Sequence, residues 1–213
     1  MTTLILVRHG QSEANKTQSF AGHYDAKLTE LGLLQAEAAA DYIQSNYNPS
    51  VVYASDLSRA YNTGNAIARK LKIPIIKNEN LREIRAGEWE GKKLRDLMVD
   101  YSDDYNLWLT DIGNAVCTNG ESVTELAKRV FTTLETIAEE NPLQTVVVAT
   151  HATPIRAIMT LVQMGSLDKM KDIAWMPNAS ISVLQYNGGR WNFTLTGFDS
   201  YLIELKSEIP PNV

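Results

Sequence analysis

Short apolar runs separated by helix-period stripes organise this chain. Leu4-Ile5-Leu6-Val7 is continuous, too short for a helix, and flanked by polar residues, so it predicts a buried strand. Residues 51–54, 73–76 and 145–150 repeat the form, the last as Thr145-Val146-Val147-Val148-Ala149-Thr150. Between these runs, Leu31, Leu34, Ala38, Ala39, Tyr42 and Ile43 recur at helical spacing and predict an amphipathic helix over 29–47, N-capped by Thr29. Leu57, Ala60, Gly64, Ile67, Ala68 and Leu71 form a second stripe. Val123, Leu126, Val130, Leu134 and Ile137 form a third, opened by the capping box Ser122-x-x-Glu125.

Strands that alternate with helices predict an α/β fold: a three-layer α/β/α sandwich around a mostly parallel sheet. Near the C-terminus, 181–186 and 191–195 flank Asn187-Gly188-Gly189-Arg190, a hairpin signal that adds antiparallel strands at one sheet edge. The stretch 91–120 loses the pattern and carries Tyr101, Tyr105, Leu107 and Trp108 among several aspartates. It is expected to hold one or two helices over the sheet's C-terminal edge as a small lid insertion, a connecting subdomain being the alternative. The tail 209–213 is expected to fray. No internal repeat or low-complexity segment interrupts a single domain spanning 1–213.

Composition narrows the partners. With 20 Lys and Arg against 25 Asp and Glu, the net charge is −5 and no basic run stands out, which argues against a nucleic-acid backbone or an anionic membrane. Cys117 is the single cysteine, so no internal disulfide and no thiolate metal cluster can form, in keeping with a reducing compartment. It is expected to be an inert thiol. The N-terminus enters a strand directly, and no apolar stretch approaches membrane-spanning length, so the expected setting is soluble and cytoplasmic. A homodimer is left open.

Candidate chemistry sits at strand exits. Arg8-His9-Gly10 follows the first strand. His151 follows the strand 145–150, just before Ala152-Thr153-Pro154, where Thr153 as N-cap and Pro154 as first helical residue would start a helix. A third exit has Ser55-Asp56 as a helix cap, with Arg59 in that helix's first turns. Open α/β sheets place binding crevices at such carboxyl ends. Taken singly, a histidine after a strand is a packing residue and Arg59 a surface cation. Two imidazoles and two guanidiniums together near helix N-termini suit a phosphoryl dianion.

These blocks resemble the histidine phosphatase superfamily, the phosphoglycerate mutase-like group. The resemblance rests on Arg8-His9-Gly10-Gln11-Ser12 with Asn15; Asp25, Leu28-Thr29 and Gly32; and Ser55-Asp56-Leu57-Ser58-Arg59-Ala60. It continues through Leu81-Arg82-Glu83 with Gly87-Glu88-Trp89-Glu90-Gly91, Gly120-Glu121-Ser122, and Thr150-His151, in the family's order. It implies His9 as nucleophile forming a phosphohistidine, with Arg8, Arg59 and His151 spreading positive charge over the phosphoryl oxygens. Glu83 is the implied general acid, with Glu88 and Glu90 as alternatives in the same segment, while Arg82 and Arg85 are left for salt bridges or substrate charge. Phosphate or substrate contact is implied for Gly10, Gln11, Ser12, Asn15, Gly22, His23 and Ala152, where Ala152 replaces the family's usual glycine.

The expected function is metal-independent hydrolysis of a small phosphorylated metabolite, releasing inorganic phosphate and using no cofactor. Phosphoglycerate mutase and a catalytically silent phosphate-binding module are the alternatives. A metal-dependent hydrolase would need clustered histidines, yet the nearest pair, His9 and His23, is 14 residues apart.

Overall fold

The computed structural model describes residues 1–207, and the tail 209–213 expected to fray lies outside the described residues. Six strands form one sheet: β1 Thr2–Arg8, β2 Val52–Ala54, β3 Ile75–Lys77, β4 Thr145–Thr150, β5 Ile181–Asn187 and β6 Arg190–Phe198, in the spatial order β3-β2-β4-β1-β5-β6. The first four are mutually parallel, β5 pairs antiparallel with β1, and β6 antiparallel with β5. A mostly parallel sheet with an antiparallel edge therefore stands as expected, with β3 beginning two residues later than the apolar run 73–76 suggested. Gly188 and Gly189 take φ of 56° and 84°, the two left-handed residues that a tight hairpin loop needs.

Among the described residues, seven α-helices surround the sheet: α1 Glu13–Lys16, α2 Glu30–Asn46, α3 Ser58–Leu71, α4 Leu94–Asp100, α5 Ser102–Thr110, α6 Val123–Glu140 and α7 Ala152–Met164. Successive strand residues point to opposite faces, and the core divides accordingly. Leu4, Leu6, Val146 and Val148 join residues of α5, α6 and α7, whereas Ile5, Val7, Val52 and Val147 join residues of α2 and α3. Three layers result. Each fully buried Leu, Ile or Val contributes about 1.5–3 kcal/mol by leaving water. Among the described residues no helix is long and apolar enough to cross a membrane.

Local caps aim the site residues. Thr29 accepts from Gly32 N at 3.0 Å and starts α2, and the Ser122–Glu125 capping box starts α6. Two expected helix starts differ. Ser55 and Asp56 do not cap α3; Asp25 does, accepting from Ser58 N at 2.7 Å, while Asp56 pairs with Arg82. Helix α7 begins at Ala152 with His151 as N-cap, not at Pro154 with Thr153 as cap. Proline is tolerated as third residue because N–H groups of the first turn have no intrahelical acceptor.

Candidate active site

Parallel pairing places the two histidines side by side. Arg8 is opposite Thr150 in the β1–β4 register, so His9 and His151 leave adjacent strands at the same level, with His9 N donating to Thr150 O at 3.0 Å. Their ring centroids are 5.2 Å apart at 65°. Strand β1 sends its connection toward β2 and β4 sends its own toward β5, which makes this edge a topological switch point.

Hydrogen bonds fix both imidazoles. His9 Nδ1 is 2.7 Å from the Gly10 carbonyl oxygen, which can only accept, so Nδ1 carries the proton and Nε2 keeps its lone pair. His151 Nε2 lies 2.9 Å from Ser55 Oγ. That hydroxyl also accepts from Leu57 N at 3.3 Å, and its own proton can be given to His151 Nε2, the tautomer in which Nδ1 is the N–H. Burial, then Arg59, then Arg8 hold His9 well below the usual imidazole range; burial, then Arg59 and His9 do the same for His151. Both rings are neutral at pH 7.

The arginines are buried cations anchored by carbonyls. Arg59, 1% exposed, donates to Gly22 O at 2.8 Å and Tyr24 O at 3.0 Å, and Arg8 donates to Met176 O. Burial lowers Arg8 to about 10, which leaves it charged at neutral pH. Among the described residues, Arg8 Nε, Arg59 Nε and His151 Nδ1 are buried polar atoms without a hydrogen-bond partner. Unmatched buried donors on two guanidinium groups that line one cavity suit an anion there.

Glu83 is the acid candidate that reaches the cavity. Its Oε1 accepts from Ile84 N at 2.9 Å and its Oε2 from Thr153 N at 3.3 Å, and it lines the cavity with Arg8, His9, Arg59 and Ala152. Glu88 is instead bonded to Tyr101 and Asn119, outside the cavity, and Glu90 accepts from His23 N and Ala86 N. Asn15 Oδ1 accepts from Ser12 N, Ser12 Oγ and Asn178 Nδ2, at 3.0, 2.9 and 3.2 Å. With its oxygen held from behind, the Asn15 amide N–H₂ is the end left for a ligand. Ser12 and Gly22 also line the cavity.

Three residues expected at the phosphate lie elsewhere. Gly10 packs against α2: a Cβ there would collide with the Gly32 carbonyl oxygen, and its N–H goes to Thr63 Oγ1 at 3.1 Å. Gln11 turns to Gln35 and Thr29. His23 lies off the cavity and donates from Nε2 to Glu83 O at 2.9 Å, beside Arg129, which holds the same carbonyl at 3.3 Å. His151 is fully buried, with its ring edge-on to His9 and centroids 5.2 Å apart. Arg82 pairs with Asp56, and Arg85 binds the carbonyls of Asn119 and Gly120. Burial pushes the Cys117 thiol up, as suits an inert core residue.

Sequence reasoning missed Asn178 and the aromatic wall of Phe20, Trp108 and Trp175. Asn178 is 3% exposed and donates to both His9 O and Asn15 Oδ1. The signal was available: an antiparallel strand starts at the edge where parallel strands end, so residues just before β5 face the site. The helices of 91–120 do lie over that edge, where Leu94 and Trp108 line the cavity. Among the described residues no group of three His, Cys, Asp or Glu side chains could hold a metal ion.

Comparison with known proteins agrees with this geometry. The family model for the histidine phosphatase superfamily (branch 1) matches residues 4–199. Phosphoserine phosphatase 1 of Hydrogenobacter thermophilus is 34% identical over 184 residues, covering 86% of each chain. The metal-independent phosphoserine phosphatase of Arabidopsis thaliana is 30% identical over 194 residues, 90% of this chain and 79% of that one. Among solved structures, Bacillus stearothermophilus YhfR superposes with a TM-score of 0.90 at 25% identity, covering 95% of this chain and all, 100%, of that one. A mutant phosphoserine phosphatase from Entamoeba histolytica, in complex with phosphoserine, gives 0.82 at 27% identity, with coverage of 95% and 100%. With its paired histidines and arginines at one sheet edge and its match over nearly the whole length, this chain belongs to the histidine phosphatase superfamily and is an enzyme of that type.

Proposed function

We propose that the protein hydrolyses phosphomonoesters of small metabolites through a phosphohistidine on His9 Nε2. The observation that carries this reading is the neutral His9 with Nε2 free, set beside three unmatched buried donors on Arg8, Arg59 and His151. The lone pair attacks phosphorus and the ester P–O bond breaks. Glu83, entering as the acid, gives its proton to the departing alkoxide. Water then attacks the phosphohistidine while the Glu83 carboxylate takes its proton, the P–N bond breaks, and inorganic phosphate leaves with His9 neutral again. Arg8, Arg59, His151 Nδ1 and the Asn15 amide stabilise charge on the equatorial oxygens, with no metal in the scheme.

Water rather than a second alcohol is the acceptor in this reading. A mutase must retain a phosphorylated intermediate while it reorients, which needs cations matched to a substrate carboxylate. Among the described residues, the charged side chains on the cavity wall are Arg8, Arg59 and Glu83, all committed to the phosphoryl group. The test runs phosphate release from simple monoesters beside a coupled 2-/3-phosphoglycerate interconversion assay on one preparation, with EDTA and with vanadate. Phosphate release that survives EDTA and is blocked by vanadate supports the reading. Mutase turnover a hundredfold above hydrolysis, or loss with EDTA and recovery with Mg²⁺, contradicts it.

A further inference from the structure

We propose that the alcohol released from the substrate is neutral and presents an apolar or aromatic face, and that Phe20, Leu94, Trp108 and Trp175 select it. This rests on the hydrolase reading above and names its substrate class. Away from the arginines, the cavity wall is built by those four side chains with Ala14 and Ala21. Phe20 and Trp108 meet edge-to-face at 5.1 Å and Trp108 lies 6.3 Å from Trp175, so the rings form a continuous surface. Trp108 is seated against fully buried Trp89 at 5.9 Å, which holds it in place. Gln18, Ser19 and Thr153 leave polar atoms nearby for hydroxyl groups.

Among the described residues, charge on the leaving group has no counterpart there. Lys93 Nζ is turned to Thr17 O at 2.7 Å, Lys92 is bonded to Tyr101, and Arg156 is buried behind Trp175 with Nε on Ile173 O at 2.7 Å. A carboxylate next to the ester, as in phosphoserine or 3-phosphoglycerate, would lie against indole faces and lose its hydration without an ion-pair partner. A cation gains little more. The Arg156 guanidinium already sits 4.4 Å from the Trp175 ring centroid and engages its π-system. A flat neutral group, by contrast, gains the transfer energy of its apolar surface, about 1.5–3 kcal/mol for a phenyl-sized face.

The experiment compares kcat/KM of the purified enzyme for benzyl phosphate, O-phosphoserine, 3-phosphoglycerate and phosphocholine, with p-nitrophenyl phosphate as the general phosphatase probe. Benzyl phosphate is expected to exceed each charged substrate by at least about tenfold, the lower end of that transfer energy. Trp175→Ala should shrink the benzyl preference, and Leu94→Arg, at a partly buried position on the cavity wall, should shift the ratio toward 3-phosphoglycerate. Phosphoserine, 3-phosphoglycerate or phosphocholine turned over as well as benzyl phosphate while p-nitrophenyl phosphate is hydrolysed would overturn this inference alone. Absence of turnover on every monoester would remove the hydrolase reading and this inference with it.

Discussion

Replacing Asn15 by Asp changes one atom of the site and should be among the most damaging substitutions in it. The side-chain oxygen now facing Ser12 and Asn178 accepts three hydrogen bonds, and an aspartate can keep all of them with one carboxylate oxygen. The fold therefore loses little. The second oxygen takes the place of the amide N–H₂ toward the phosphoryl group, so a donor is lost and a negative charge is added. Loss of one preorganised donor costs about 10²–10³ in rate. A unit charge about 4 Å from another, at an effective dielectric near 20, adds repulsion of up to about 4 kcal/mol. Asn15→Ala should thus fall about 10²–10³ in kcat/KM, and Asn15→Asp should fall further, with urea midpoints close to the parent chain. Steady-state hydrolysis of p-nitrophenyl phosphate and urea unfolding of the same samples give both quantities. If Asn15→Asp keeps kcat/KM within tenfold of the parent, or is no worse than Asn15→Ala, the amide does not face the phosphoryl group.

Glu83→Gln should lose far more rate on an alkyl phosphate, whose leaving alkoxide needs a proton, than on p-nitrophenyl phosphate; equal losses would take the acid role from Glu83. Folded His9 and His151 stay neutral well below 6.5, the pH near which they protonate in the unfolded chain. The stability they contribute is therefore full above pH 6.5 and lost as pH falls from there toward their folded values, by up to about 1.4 kcal/mol per pH unit for each ring. Urea unfolding from pH 7.5 to 5 should show a shallower acid slope in His151→Asn, and an unchanged slope would contradict a neutral buried imidazole. Gly10→Ala should lower stability by about 1–3 kcal/mol by forcing the loop off Gly32. A variant as stable as the parent but inactive would return Gly10 to the phosphate.

What could be read from the chain follows from the range of the forces involved. Strand exits were legible because continuous Val, Ile and Leu runs have no stable place except inside a parallel sheet, and histidine or arginine at their ends marks the crevice. The start of α7 was misplaced because threonine before proline imitates a cap, while the unpaired N–H groups of a first turn accept proline at more than one position. The cap of α3 came from Asp25, on a loop remote in sequence, and no local pattern announces that. Gly10 and Gln11 follow His9 in every sequence-level argument, yet the close approach of Gly10 to Gly32 turns both onto α2. Asn178 was harder to read for a related reason: its role depends on β5 running antiparallel beside β1, a pairing between distant segments. Ala179, beside it, takes a left-handed φ of 55° while donating to His9 O, a strain of about 1–2 kcal/mol maintained where the site needs it.

The central claim is the covalent intermediate, and rapid quenching tests it directly. Enzyme mixed with excess p-nitrophenyl phosphate, stopped in base within the first turnovers, digested, and mapped by mass spectrometry should carry a phosphoryl group on the peptide containing His9. The adduct should be stable in base, labile in acid, bonded to Nε2, and absent in His9→Ala. Steady hydrolysis with no phosphoenzyme under these conditions, or the label on His151 or a carboxylate instead, would contradict the account.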